Sequence, residues 1–170
     1  MANPNRLERD LRALLDKLAL DLAAADRRVA EVAEVLRASA DADPDRGGVA
    51  IVAVALDHYY SSIEASLEMV GRVFDLAMPA SADWHRALLH GMRKGSATRP
   101  PVLASETADG LEDLLAFRHF LRHAYAADLE WGRMHNLALA LSTIQRRVLE
   151  DMAAFQDYVK RCLGETERRS

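Results

Sequence analysis

The chain has 170 residues, half of them hydrophobic and 28% charged, a balance that suits one globular domain with its own core. Its net charge of −4 excludes binding to nucleic acid by overall charge, so any such binding has to come from a local basic patch. The single Cys162 rules out an internal disulfide and a cysteine-built zinc site, and it suits a reducing compartment. The first six residues lack the basic-then-apolar pattern of a signal peptide. The longest apolar run, Val49 to Leu56, is too short to span a bilayer. A cytoplasmic protein with no membrane association is expected.

In chain order, Asn3 as a cap and Pro4 at the first helical position start a helix. Its stripe is Leu7, Leu11, Leu14, Leu18, Leu22, Ala25, Val29, Val32 and Leu36, in steps of three and four residues. The stretch from Ser39 to Gly48, with its aspartates, Pro44 and two glycines, ends it. Asp41, Asp43 and Asp45 alternate like the opening of a calcium loop. The required glycine and terminal glutamate are replaced by Arg46 and Val52, so a helix-capping turn is expected instead. A second helix runs from Val49 to Ala77 along Val49, Val52, Leu56, Tyr59, Ile63, Leu67, Val70 and Phe74, and Pro79 stops it. Ser81 or Asp83 caps a short third helix with Trp84, His85, Leu88, Leu89 and Met92. Gly95 to Pro101 is a loop, with Arg93, Lys94 and Arg99 around it.

Ser105 caps a fourth helix that reaches Tyr125, with Glu106 and Asp109 favourably placed in its first turn. A last long helix carries Met134, Leu137, Leu141, Ile144, Val148, Met152, Phe155 and Val159 and closes at Gly164. No stretch alternates as a strand does. The reading is an all-α chain: an antiparallel four-helix bundle with an additional short helix. It forms a single domain over residues 1–170, with residues 1–3 and 165–170 as flexible tails.

The fourth helix breaks the core rule. On an ideal helix Leu111, Leu114, Leu115 and Leu121 form one apolar arc, and Arg118, Arg122 and Tyr125 fall in its middle. His119 and His123 stack on its flank. A charge on a core-facing stripe is costly unless it is paired or kept wet. The structural reading is that Arg118 and Arg122 pair with carboxylates of a neighbouring helix. Two arginines, two histidines and a tyrosine so close together favour a functional one. His119 and His123 have metal-ligand spacing, but no carboxylate lies between them and the adjacent arginines repel a cation, so no metal is expected. His58, His85, His90 and His135 read as surface or partly buried polar residues. Ser61, Ser62, Ser105 and Cys162 lack a nucleophile turn, and no glycine-rich phosphate loop is present.

Arg118, four residues, His123, one residue, Tyr125 resembles the signature of HepT-like toxins in the HEPN superfamily. The likeness extends to His58-Tyr59-Tyr60-Ser61-Ser62-Ile63-Glu64, to Trp84-His85 with Leu88-Leu89, and to Arg99-Pro100 before Val102-Leu103. The resemblance implies an all-helical, homodimeric endoribonuclease, the toxin of a toxin–antitoxin pair, needing neither metal nor other cofactor. It implies that Arg118 and His123 carry cleavage, with His119 and Arg122 supporting the contact to RNA. It makes Tyr125 the acceptor of AMP from a minimal nucleotidyltransferase antitoxin, and gives no reason to expect DNA as a partner. The alternative it leaves is a non-catalytic, nucleotide-binding partner of a nucleotidyltransferase. Residue chemistry agrees: metal-free RNA cleavage uses groups that titrate near neutrality and a fixed positive charge on the phosphate. Arg118 and His123 lie ~140° apart on a straight helix, so a two-fold axis is expected to gather both copies into one cleft.

Overall fold

The computed structural model describes residues 4–75, 83–123 and 129–168, with Pro4 and Glu167 described by their backbone alone. Among the described residues five α-helices follow one another: α1 (Pro4–Ala38), α2 (Arg46–Val70), α3 (Trp84–Met92), α4 (Ser105–His123) and α5 (Trp131–Glu167). A π-helical segment, Gly71–Asp75, continues α2, and no strand occurs among the described residues. The chain is therefore all-helical, as its periodicity implies. No helix among the described residues is long and apolar enough to cross a membrane.

The stripe of α1 buries Leu11, Leu14, Leu18, Leu22, Ala25 and Val32, while Leu7 at its open end stays exposed. The stripe of α2 is buried from Val49 to Phe74, joined by Ala53, Ala55, Tyr60 and Ser66. This wider burial follows from position. The helix α2 packs against α1, α3, α4 and α5, and a helix surrounded on several sides must be apolar on more than one face. Asp45 caps it, its Oδ1 accepting from the Gly48 amide at 2.8 Å. The aspartate-rich turn thus ends in a cap. The helix begins at Arg46, one turn earlier than Val49, because that cap lies upstream. The expected end at Ala77 and Pro79 lies outside the described residues.

The loop after α3 is tied down by a buried cation. Arg99 sits 2.6 Å by Nη2 and 3.1 Å by Nε from Asp75 Oδ2. It also donates to the carbonyls of Lys94, Pro100 and Gly91. Arg99 is thus a staple between the π-helical segment and this loop rather than a loop charge. Ser105 is the first residue of α4 and not its cap; the preceding amide, Ala104 N, donates to Asp151 Oδ2 at 2.9 Å. In α5 the expected stripe is buried except for the half-buried Leu137. The helix continues through Gly164 to Glu167, so the segment after Gly164 is not a loose tail as far as Glu167. A glycine in a helix costs only about 1 kcal/mol relative to alanine, too little to end a helix already anchored by packing.

Gly110 lets α4 and α5 approach closely: a Cβ there would meet Ile144 Cγ1 at 2.9 Å and Cδ1 at 3.2 Å. Gly110→Val is expected to destabilise the protein by roughly 1–3 kcal/mol through overpacking. Urea unfolding followed by circular dichroism checks this, and a midpoint at or above wild type contradicts it.

Candidate functional site at the end of α4

The helix α4 carries its unusual residues in two environments. Arg118 is buried, 8% exposed, whereas His119, Arg122 and His123 are exposed. Arg118 does not project outward from the apolar arc toward a partner, as the sequence suggests. It turns inward to α2, donating from Nη1 to Glu64 Oε2 at 2.9 Å, with its Nε 3.6 Å from Asp57 Oδ1. Its guanidinium carbon lies 5.5 Å from the centre of the Tyr60 ring. A buried guanidinium needs counter-charge, and Asp57 and Glu64, seven residues apart, supply it from one face of α2. Pairing with a neighbouring helix therefore holds for Arg118. It does not hold for Arg122, which forms no ion pair among the described residues.

Glu64 is itself buried, 5% exposed, and holds two partners. Its Oε2 takes Arg118, and its Oε1 contacts His85 Nδ1 on α3 in a short hydrogen bond. The His85 ring stacks on Trp84 at 3.8 Å and meets the edge of His119 at 5.9 Å. The Tyr60 hydroxyl is buried without a hydrogen bond of acceptable geometry, although Glu64 lies beside it. Burial first, and then the charge of Glu64, push the Tyr60 phenol well above its ordinary pKa, with Arg118 opposing. Tyr60 therefore stays a neutral phenol.

His123 is in the last turn of α4, and its Nδ1 lies 2.7 Å from the His119 carbonyl oxygen. A carbonyl only accepts, so Nδ1 carries the proton of this bond, and in the neutral ring Nε2 is left with its lone pair. Tyr125 lies outside the described residues. Of the sequence-derived set, Arg118 is buried against α2, while His119, Arg122 and His123 are exposed on the last turns of α4. The sequence reading missed Asp57, Tyr60, Glu64 and His85. For Asp57 and Glu64 a signal existed: carboxylates seven residues apart recur on one side of an otherwise apolar helix. Tyr60 and His85 stood within the blocks that carry the resemblance, but those blocks do not reveal that α3 lays His85 on Glu64. No group of three or more metal-ligating side chains occurs among the described residues.

Fold and site together define an all-helical protein that displays imidazole and guanidinium groups above a buried ion-pair cluster. A family model described as HepT-like protein matches residues 51–159, well over half of the chain, and the chain belongs to that family. The matched stretch contains α3, α4 and nearly all of α2. No curated protein and no solved structure matches the chain.

Glu64→Ala removes the closest counter-charge of a buried arginine and is expected to cost on the order of 3 kcal/mol of stability, Asp57 remaining as a weaker partner. Denaturant titration measures it. A loss below about 0.5 kcal/mol, the scale of an exposed pair, would show that Arg118 does not depend on Glu64.

Proposed function

We propose that the chain is a metal-independent endoribonuclease, the toxin half of a toxin–antitoxin pair. It acts as a homodimer of four-helix bundles and is neutralised when a minimal nucleotidyltransferase attaches AMP to Tyr125. Family membership supports this reading, and one observation carries it: His123 stands exposed at the end of the motif helix with Nδ1 committed to a backbone carbonyl. Its Nε2 is then the nitrogen presented to a ribose 2′-OH, which is what a general base requires. Arg118 supplies a fixed positive charge, and exposed His119 and Arg122 add adaptable contacts to phosphate.

The four long helices support the bundle reading, because α1 meets α2 and α5, and α4 meets the same two. The dimer reading is supported by an open groove of about 870 Å³ between α4 and α5. Phe117, Phe120 and Leu137 line it, with Asp109 and Asp113 on the α4 side and Arg133 and Arg147 on the α5 side. Such a rim is complementary to itself under a two-fold axis. AMP on Tyr125, seven residues beyond Arg118 in the chain, would add bulk and negative charge that oppose RNA phosphate.

A second reading, a non-catalytic nucleotide-binding partner of a nucleotidyltransferase, is favoured by one feature: Arg118 already spends its charge on Glu64 and Asp57. Calorimetric nucleotide binding with no RNA degradation at micromolar protein would select it.

Purified protein in chelator is expected to degrade RNA. His123→Ala should lower the rate by about 10²–10⁴-fold and relieve growth inhibition, without shifting the melting temperature, since the ring is exposed. Arg118→Ala should also abolish cleavage, but it strands two carboxylates, so its activity is read only beside its melting curve. Undiminished cleavage by both variants contradicts the assignment. Incubation with a cognate nucleotidyltransferase and ATP is expected to raise the intact mass by AMP units. Tyr125→Phe should block this, and an unchanged gain in that variant would place the modification elsewhere.

A further inference from the structure

We propose that His85, held by Glu64, is the general acid that protonates the leaving 5′-oxygen in this reaction. The assignment rests on the ribonuclease reading and supplies a group the motif on α4 does not. Transesterification of RNA without metal needs one group to take a proton and another to give one. His123, hydrogen-bonded through Nδ1 to its own helix, fits the first task. His119 lies within one turn, but its exposed ring has no carboxylate to orient it among the described residues.

His85 has such a carboxylate. Glu64 Oε1 accepts from its Nδ1, which fixes the ring and leaves Nε2 as the nitrogen available to a ligand. Trp84 stacked on one face prevents the ring from swinging away. The side chain is 20% exposed, so it is packed yet reachable. Its neighbour across α4 is His119, 5.9 Å away between ring centres and one helical turn from His123. The other oxygen of the same carboxylate holds Arg118. One buried glutamate therefore fixes the spacing between an imidazole on α3 and the guanidinium assigned to the phosphate. The charged and titratable groups around this position include Glu64, Asp57 and Tyr60 on α2, and Arg118 and His119 on α4.

The step balances. His123 Nε2 takes the proton of the 2′-OH while O2′ bonds to phosphorus. The bond from phosphorus to O5′ breaks, its electron pair goes to O5′, and the Nε2 proton of doubly protonated His85 is delivered there. The products are a 2′,3′-cyclic phosphate and a 5′-hydroxyl. His123 ends protonated and His85 neutral, and exchange with water resets both.

The test uses the intact protein and an oligoribonucleotide spanning a cleavage position mapped on total cellular RNA, made with either oxygen or sulfur at the scissile 5′ position. A thiolate leaves without an acid. His85→Gln, whose amide keeps a hydrogen bond to Glu64, is expected to slow the oxygen substrate at least 100-fold and the sulfur substrate less than 5-fold. His123→Ala should slow both alike. Equal losses on the two substrates, or none on either, overturn the assignment while leaving the ribonuclease reading in place. Failure of the wild type to cleave any RNA overturns both. If His85→Gln does not fold, the wild type decides: the alkaline fall in rate seen with oxygen should be absent with sulfur, and its persistence overturns the proposal.

Discussion

The Glu64 carboxylate, taken out of water and divided between Arg118 and His85, is the constraint around which this end of the molecule is built. Neither Glu64 nor Arg118 can be buried alone, because a lone ion in a protein interior loses far more hydration than packing returns. Each therefore specifies where the other must be, and with them the relative positions of α2 and α4. His85 extends the same logic to α3, a nine-residue helix too short to be held by its own hydrogen bonds. Leu88, Leu89 and Met92 bury its apolar face, while the bond to Glu64 decides how that face is seated.

Elsewhere the same helix repeats this device with weaker groups. Tyr59 donates to Gln145 on α5, and Gln145 donates in turn to Asp26 on α1. Ser66 donates to Asp21 on α1, which also receives Lys17. Arg99 seizes Asp75 at the end of the π-helical segment. Leucine contacts are non-directional and tolerate a slip of one turn. Hydrogen bonds between buried polar groups do not, since a slip leaves a donor or acceptor bare in a low dielectric. The polar positions of α2 thus select one arrangement from the several that its apolar stripe allows.

That division of labour explains what was legible in the sequence. Apolar periodicity is a property of single helices, and it located α1, α2, α3 and α5 and most of their core. Ends were read less well. Gly164 and Ser105 carry local stop and start signals, but packing carries α5 past the first, and the fold begins α4 with the second rather than capping it. Arg118 was recognisable as a violation of the pattern on α4, and nothing in α4 told whether the violation was satisfied from within or from outside. The answer lay 54 residues earlier, in Glu64. The role of His85 was hidden for the same reason: it is created by contact between helices, and the Trp84-His85 pair that carries part of the resemblance does not say which helix it meets.

An arginine already divided between carboxylates is a different instrument from a free one. In the buried cluster the single charge of Arg118 faces the two carboxylates of Asp57 and Glu64. What the ion pair contributes instead is order. Its dipoles are set before any substrate arrives and need not reorganise as charge builds on phosphorus. In the proposed reaction Glu64 would serve the chemistry as well as the fold, because one carboxylate sets both the His85 ring and the Arg118 guanidinium.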